Sequence, residues 1–439
     1  MRPLFADFHF HSKYSRAVSP LMSLEGLSSG AKLKGLGLLG TGDFSHPLWF
    51  RELQGRLAQV GETGLFRLRG DANETLFTLT NEVATFYSTP QGAKKTHHII
   101  HAPSLEVVEQ LNDVYSKMGN LMADGRPMFA KTSNAEFVEK SFEVSKDILI
   151  YPAHAFTPWF GAFGSNSGYD SLEEAYGDQV KRIRALETGM SADPAMCWRL
   201  SQLDKFTLIS NSDSHSNHPW RLGRECNAFA FAPGEVSYRA IVDAINQKDR
   251  DHLLFTVETP PAYGKYHWDG HRLCNFSCPP KESKKLGGRC PVCKQKMTIG
   301  VEYRIEELAD RPEGFVPADA IPFKPLLPLH ELLAVMLGGT LSGKSVTIAA
   351  SKLLSAFPSE LDVLLYATAT ELIKHASEAI TEAILLNRDG KVAVKPGYDG
   401  EYGVPQLPDY LKAARKERKA RAKKEGTATP KVQKSLGDF

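Results

Sequence analysis

The chain has 439 residues, 42% of them hydrophobic and 24% charged, which gives length for two or three domains and apolar material for a large core. Nothing approaches the roughly 18 consecutive apolar residues of a membrane span, and the N-terminus lacks the basic and apolar regions of a secretory signal, so a cytoplasmic protein without a membrane partner is expected. The formal charge of +2 hides an asymmetry, because residues 411–439 carry ten Lys or Arg against three acids, a basic tail that is expected to be disordered and is of the kind that seeks a polyanion.

In chain order, the first half contains seven short apolar runs, each ending on or lying beside a side chain able to bind metal. They are Asp7-Phe8-His9-Phe10-His11 and residues 38–43, 77–82, 97–101, 148–154, 183–187 and 208–215. A run of about 4–8 apolar residues reads as a buried strand. Segments 21–33 and 105–117 are spaced as helices between such runs, and this alternation implies a parallel sheet. Chemistry in such sheets and barrels gathers at the carboxyl ends of the strands. Residues 1–255 are therefore expected to form an α/β barrel with a metal site at its mouth. Residues 256–300 form a polar, loop-rich insert with four cysteines, 301–410 a helical C-terminal domain, and 411–439 the tail. Within the helical part, Gly338-x4-Gly343-Lys344-Ser345 satisfies the P-loop expression, but such a loop must leave a buried strand. The preceding residues 330–337 are spaced as a helix, so the pattern reads as a helix stop followed by a helix start.

The first constellation comprises His9, His11, Glu82, His98, His154, Asp213 and His215. Residues two apart on a strand face one side, so His9 and His11 reach one ion together, and Asp213 with His215 repeats that spacing. Glu82 adds an oxygen able to bridge two cations. Mixed imidazole and carboxylate donors suit zinc, manganese or iron better than calcium. His97 is the alternative to His98, since neighbours on a strand face opposite sides. The second constellation is Cys274-x3-Cys278-x11-Cys290-x2-Cys293, two knuckles of thiolates that suit a closed, structural zinc. Lys281, Lys284, Lys285, Arg289, Lys294 and Lys296 surround it, a cationic rim that favours phosphates. Cys197 and Cys226 stand apart, which fits a reducing compartment better than a disulfide framework.

At the first constellation the chain resembles the PHP family, named for polymerase and histidinol phosphatase. The resemblance implies a distorted (β/α)7 barrel with up to three metals and carries His9, His11, Glu82, His98, His154, Asp213 and His215 into ligand positions. The chain departs from that pattern at Ser15-Arg16-Ala17, where a third early histidine is usual, and at Gly42-Asp43-Phe44, where Thr-Asp-His is usual; Asp43 or His46 is then the source of any third site. The order of modules, with Thr41-Gly42-Asp43-Phe44-Ser45-His46-Pro47, Glu187-Thr188-Gly189-Met190-Ser191 and Ser210-Asn211-Ser212-Asp213-Ser214-His215-Ser216, is similar to the endonuclease Q family. That resemblance implies a PHP barrel, a zinc-binding insert and an all-α C-terminal domain. It also implies a DNA repair enzyme that hydrolyses the phosphodiester 5′ to deaminated bases (uracil, hypoxanthine, xanthine) and abasic sites. The alternatives are a PHP-family phosphatase acting on a small phosphate ester and a noncatalytic DNA-binding protein.

Phosphodiester hydrolysis needs a nucleophile at neutral pH and charge neutralisation, and a metal-bound hydroxide, with its pKa near 7, supplies the first. Zinc is expected at the structural site and at the catalytic cluster, with magnesium or manganese as alternatives at the latter. Asp213 and Glu82 are the candidate catalytic pair, as ligands and orienters of water, and Lys13 and Arg16 are candidate phosphate contacts. A deaminated base can be read only outside the stack. The loop 156–169, with Trp159, Phe160 and Asn166, combines aromatic faces, glycines and small polar groups suited to such a pocket; Asn211 is a further substrate contact. At the end of the tail, Gln433, Leu436 and Phe439 resemble the short peptides that dock on a sliding clamp, with i and i+3 residues on one helical face.

Overall fold

The computed structural model describes residues 2–411 apart from Gln91, Pro233 and Asp409. The candidate clamp peptide lies outside the described residues. Seven strands form the circuit that carries the site. They are β1 (Leu4–Asp7), β2 (Leu38–Gly40), β3 (Leu76–Thr89), β4 (Gly92–Ala102), β5 (Leu149–Pro152), β6 (Ala185–Glu187) and β7 (Thr207–Ile209). β1, β2 and β3 are parallel neighbours. β4 then returns antiparallel beside β3, and β5 runs antiparallel to β4. β5 meets β6 where Ala155 donates its N–H to the Glu187 carbonyl at 2.8 Å, and β6 and β7 are parallel. The circuit closes where Phe10 bridges Ser214. An eighth strand, β8 (Cys226–Phe229), lies antiparallel outside β1. The reversed β4 is the distortion in the barrel, and it puts Glu82 within a 14-residue strand rather than at a strand end.

Local chemistry sets the helix limits. Ser23 caps the helix Leu24–Lys34 by accepting from the Gly26 N–H, and Gly35 ends it at φ 98°, a left-handed turn that suits a residue without Cβ. The helix therefore starts three residues after Leu21, which is left exposed. Ser104 caps Leu105–Tyr115 in the same way.

The expected boundary at 255 falls inside a strand, and the C-terminal part holds more than helices. The strand Leu253–Glu258 runs through position 255, pairing with β8 on one side and with Phe323–Pro325 on the other, so the chain returns to the barrel sheet after the cysteine insert. The C-terminal part is mainly helical (Leu329–Leu337, Lys344–Leu354, Glu360–Leu365, Glu378–Arg388), but it also holds the hairpin Ala393–Lys395 with Val404–Gln406 and so is not all-α. Gly338 ends one helix at φ 65° and Gly343 caps the next, so the P-loop pattern is a helix–turn–helix junction. One apolar core runs from Phe10, Trp49 and Phe77 of the barrel to Leu333, Leu364 and Ile384 of the helices. Across it the buried Lys34 ammonium meets Glu360 at 2.6 Å.

Candidate metal centre at the barrel mouth

His9 and His11 follow β1 and point to one side, as their spacing requires. The His11 Nε2 lies 3.1 Å from Glu82 and 3.5 Å from Asp213; the His9 Nε2 lies 3.6 Å from Glu82 and 3.5 Å from Asp213. The other side of the Glu82 carboxylate meets His97 at 2.6 Å and His154 at 3.3 Å, and His215 stands 3.9 Å from Asp213. Three overlapping groups result, His9–His11–Glu82, His11–Asp213–His215 and Glu82–His97–His154, each with its donor atoms within 4.8 Å of one another.

Burial makes this arrangement costly unless a cation joins it. The Nε2 atoms of His9 and His11 and the Oδ1 of Asp213 are buried without a hydrogen-bond partner, and an unsatisfied buried polar group costs about 1–3 kcal/mol. Imidazole nitrogens and carboxylate oxygens in this ratio are the donors of zinc, manganese or iron, so the residues fit one or more divalent ions. Burial opposes ionisation of Glu82, but His97, Arg126 and His9 hold its carboxyl well below the usual range. Asp213 is likewise held low, against burial, by His9, His11 and His215.

A ring of further groups aims the donors. The Nδ1 of His9 faces the Glu187 carboxylate at 3.0 and 3.1 Å, and the Nδ1 of His11 faces Asp43 at 3.1 Å. Carboxylates there fix the ring orientation and turn Nε2 to the centre. Asp43 is fixed in turn by Ser12, whose N–H and hydroxyl donate at 2.6 and 2.7 Å, and by the Ser15 hydroxyl at 2.8 Å. Asp43, His154 and Asp213 adopt left-handed backbone at φ 48°, 30° and 45°. Such conformations cost on the order of 1–3 kcal/mol each and persist where the surroundings over-determine them.

The structure corrects several assignments. His98 faces away from the cluster, between the rings of Phe137 and Tyr176, and neither of its nitrogens has a partner; His97 takes the place expected for it. The reason is register, since β4 opposes His97 to Ala84, which shares a face with Glu82. Asp43 braces His11 instead of joining a donor group. Asn211 is a strut that accepts from the Phe8 N–H at 2.9 Å and donates to Glu187 at 2.9 Å, although it also reaches the cavity wall. Lys13 is paired with Glu52 at 2.9 Å, and Arg16 is exposed beside Asp124. Phe160 packs 4.3 Å from the His97 ring, Trp159 stands edge-on to Tyr266, and Asn166 is exposed. Glu187, which the sequence marked as the metal-binding end of an apolar run, serves as a brace on His9, and the residues missed from sequence are Arg126, Arg224, Lys265 and Tyr402, which carried no local signal. Arg126 donates to Glu82 at 3.2 Å.

Beside the cluster opens a cavity of about 220 Å³. His154, Glu187, Asp213 and His215 wall it on the barrel side, and Lys265 and Tyr402 on the other. Tyr402 thus brings the C-terminal part of the chain to the metal centre.

In the insert, the donors that converge are His271, Cys274, Cys290 and Cys293, within 4.8 Å of one another. Cys278, expected as the fourth thiolate, is buried beside Cys290 and Met297 but is not one of the four. The hairpin explains this, because His271 and Cys274 flank its turn whereas Cys278 is paired with Asp269 farther down. The set fits a closed Cys₃His zinc site.

No family model matches the chain. It is 32% identical over 255 residues to an uncharacterized protein of Methanocaldococcus jannaschii, and spans only 31% of that protein's length. Among solved structures it is similar to endonuclease Q in complex with a 27-mer duplex substrate bearing an abasic lesion at the active site, with 33% identity, 93% of this chain and 97% of that chain covered, and a TM-score of 0.82. It is also similar to the lesion-specific endonuclease PfuEndoQ of Pyrococcus furiosus, with 33% identity, 95% of this chain covered and a TM-score of 0.81. Because that similarity extends over 98% of the Pyrococcus protein, the chain belongs to the endonuclease Q family of endonucleases.

Proposed function

We propose that this chain is a DNA repair endonuclease that hydrolyses the phosphodiester on the 5′ side of deaminated bases and abasic sites, with divalent metal at the barrel mouth. The observation that carries the reading is the convergence of His9, His11, His97, His154, His215, Glu82 and Asp213 around buried, unpartnered donor atoms, in a chain that matches an abasic-duplex complex over nearly its full length. When bound, zinc, manganese or magnesium would supply Lewis acidity toward water and phosphate. Glu82 bridges the two sides of the cluster. Asp213, partly open to the cavity, is suited to orient the attacking water in line with the scissile bond. Arg126 neutralises Glu82 on one side and, being one-third exposed, can meet the phosphate on the other. Glu187 and Asp43 hold the histidine rings. Trp159 and Tyr266 stand at the rim, where a base leaving the stack would need aromatic faces.

The test is incision of end-labelled duplexes that each carry one uracil, hypoxanthine, xanthine or abasic site, with and without chelator. Cleavage 5′ to the lesion, lost on chelation and regained with added metal, is expected. Equal cleavage of undamaged duplex would defeat the reading. Docking on a sliding clamp through Gln433, Leu436 and Phe439 is proposed with it, and clamp affinity should be lost in the Leu436→Ala, Phe439→Ala double variant.

A further inference from the structure

Of the basic side chains that line the cavity beside the metal centre, Lys265 is the one whose ammonium has no hydrogen-bond or carboxylate partner among the described residues. Three basic side chains surround Tyr402, and two are committed. Arg224 donates to the Ser212 carbonyl at 2.8 and 3.0 Å and to the Tyr402 hydroxyl at 3.3 Å, and Arg221 donates to Glu331 at 3.3 Å. Lys265 alone has no carboxylate or hydrogen-bond partner among the described residues for its ammonium, which lies 4.7 Å from the centroid of the Tyr402 ring.

Its position is built and not accidental. A Cβ on Gly264 would fall 2.3 Å from the Ser191 hydroxyl and 2.5 Å from the Met190 carbonyl, and one on Gly189 would fall 2.7 Å from the His154 Cβ. The backbone around Lys265 is therefore pressed onto the loop that follows β6. The Lys265 carbonyl accepts from the Gly400 N–H at 3.0 Å, and the Tyr263 carbonyl from the Gly403 N–H at 3.0 Å, which holds Tyr402 beneath the ammonium. Met190 and Tyr266 add apolar faces to the same cavity.

An ammonium is three donors and no acceptor. Deamination replaces an exocyclic amine, which brings donors, with a carbonyl, which accepts. A donor-only cation in a confined cavity meets the carbonyl with a charge-assisted hydrogen bond and meets the amine with donors facing donors. Sites that demand a specific hydrogen bond discriminate far more strongly than apolar pockets do, by as much as 10⁴–10⁵ against 10–200. We propose that Lys265, seated on Tyr402, determines base specificity by donating a hydrogen bond to the carbonyl of a deaminated base, a bond that the amine of its parent cannot accept. This inference rests on the incision activity proposed above. An abasic site presents no base, so its incision does not use this contact.

The experiment compares the wild type with Lys265→Met, which keeps the apolar stem and removes the donors. It measures kcat/KM on duplexes carrying a single uracil or a single abasic site, and reads the uracil-to-abasic ratio. The ratio should fall by about 100-fold. An unchanged ratio, whether both rates drop together as they would for a phosphate contact or neither moves, would overturn the inference. Lys265→Gln, which offers an acceptor as well as donors, should raise incision at cytosine relative to uracil, and no shift in that ratio counts against it equally. A wild-type chain inert on every duplex would remove the incision reading first and the inference with it.

Discussion

His97 meets Glu82 at 2.6 Å across the β3–β4 hairpin, while its neighbour His98 is buried among rings with both nitrogens unpartnered. One residue of register separates a donor to the cluster from a packing residue. His97→Ala should therefore lower incision by more than the roughly 10–100-fold that outer partners of metal sites command. His98→Leu should leave kcat/KM within about threefold and should not destabilise the fold, because it removes an unsatisfied buried group worth about 1–3 kcal/mol. Steady-state incision and thermal melts of both variants decide between the two histidines; similar loss in both would refute the assignment.

Asp213 and Glu187 should separate by degree. Replacing Asp213 with Ala removes a donor from the cluster and should abolish incision while leaving duplex binding within a few-fold. Glu187→Gln keeps the shape beside the His9 Nδ1 but removes the charge, and should cost about 10–100-fold in kcat with partial rescue at raised metal concentration. Filter binding and metal-titrated kinetics measure the two effects.

Metal analysis distinguishes the two possible sets in the insert. Cys290→Ser and His271→Ala should each lower the zinc content by one per chain, whereas Cys278→Ser should retain it, because only the first two belong to the converging four. Retention of zinc by His271→Ala together with loss in Cys278→Ser would restore the four-cysteine reading.

The buried Glu225 gives stability a pH dependence. Burial pushes its carboxyl up to about 8, against the opposing hydrogen bonds from Thr259 and the nearby Arg224. The folded chain thus keeps a proton that the unfolded chain releases near the ordinary carboxylate value of 4.5. Its contribution, shared with the adjoining Glu258 carboxyl that burial also raises, is fully present below about pH 4.5 and is lost as pH rises through about 8. Melting temperature should decline between pH 6 and about 8 in the wild type and decline less in Glu225→Gln; parallel curves would refute this.

The Lys34–Glu360 pair joins the first barrel helix to the C-terminal helices, fully buried at 2.6 Å. Removing one partner strands a buried charge, so Lys34→Ala should cost about 3–5 kcal/mol in denaturant unfolding, while Lys34→Met with Glu360→Leu should recover most of it. A loss below about 1 kcal/mol for the single variant would show that water reaches the site.

The sequence by itself determined what depends on short spacing. His9 and His11 share a face because strand residues alternate, and Asp213 with His215 repeats the pattern; the apolar runs mark strands, and Gly338 and Gly343 bracket a helix junction because no strand precedes them. Only the tertiary structure decided what depends on register and on closure between distant segments. His97 displaced His98 because the antiparallel turn of β4 sets parity against β3, which alternation within one strand leaves open. His271 displaced Cys278 because the hairpin turn chooses which residues flank the knuckle. Asp43 became a brace because Ser12 and Ser15 hold it behind His11. Arg126, Arg224, Lys265 and Tyr402 reach the centre from loops and a C-terminal hairpin far away in sequence, where no periodicity carries the signal and only close backbone packing brings their charges together.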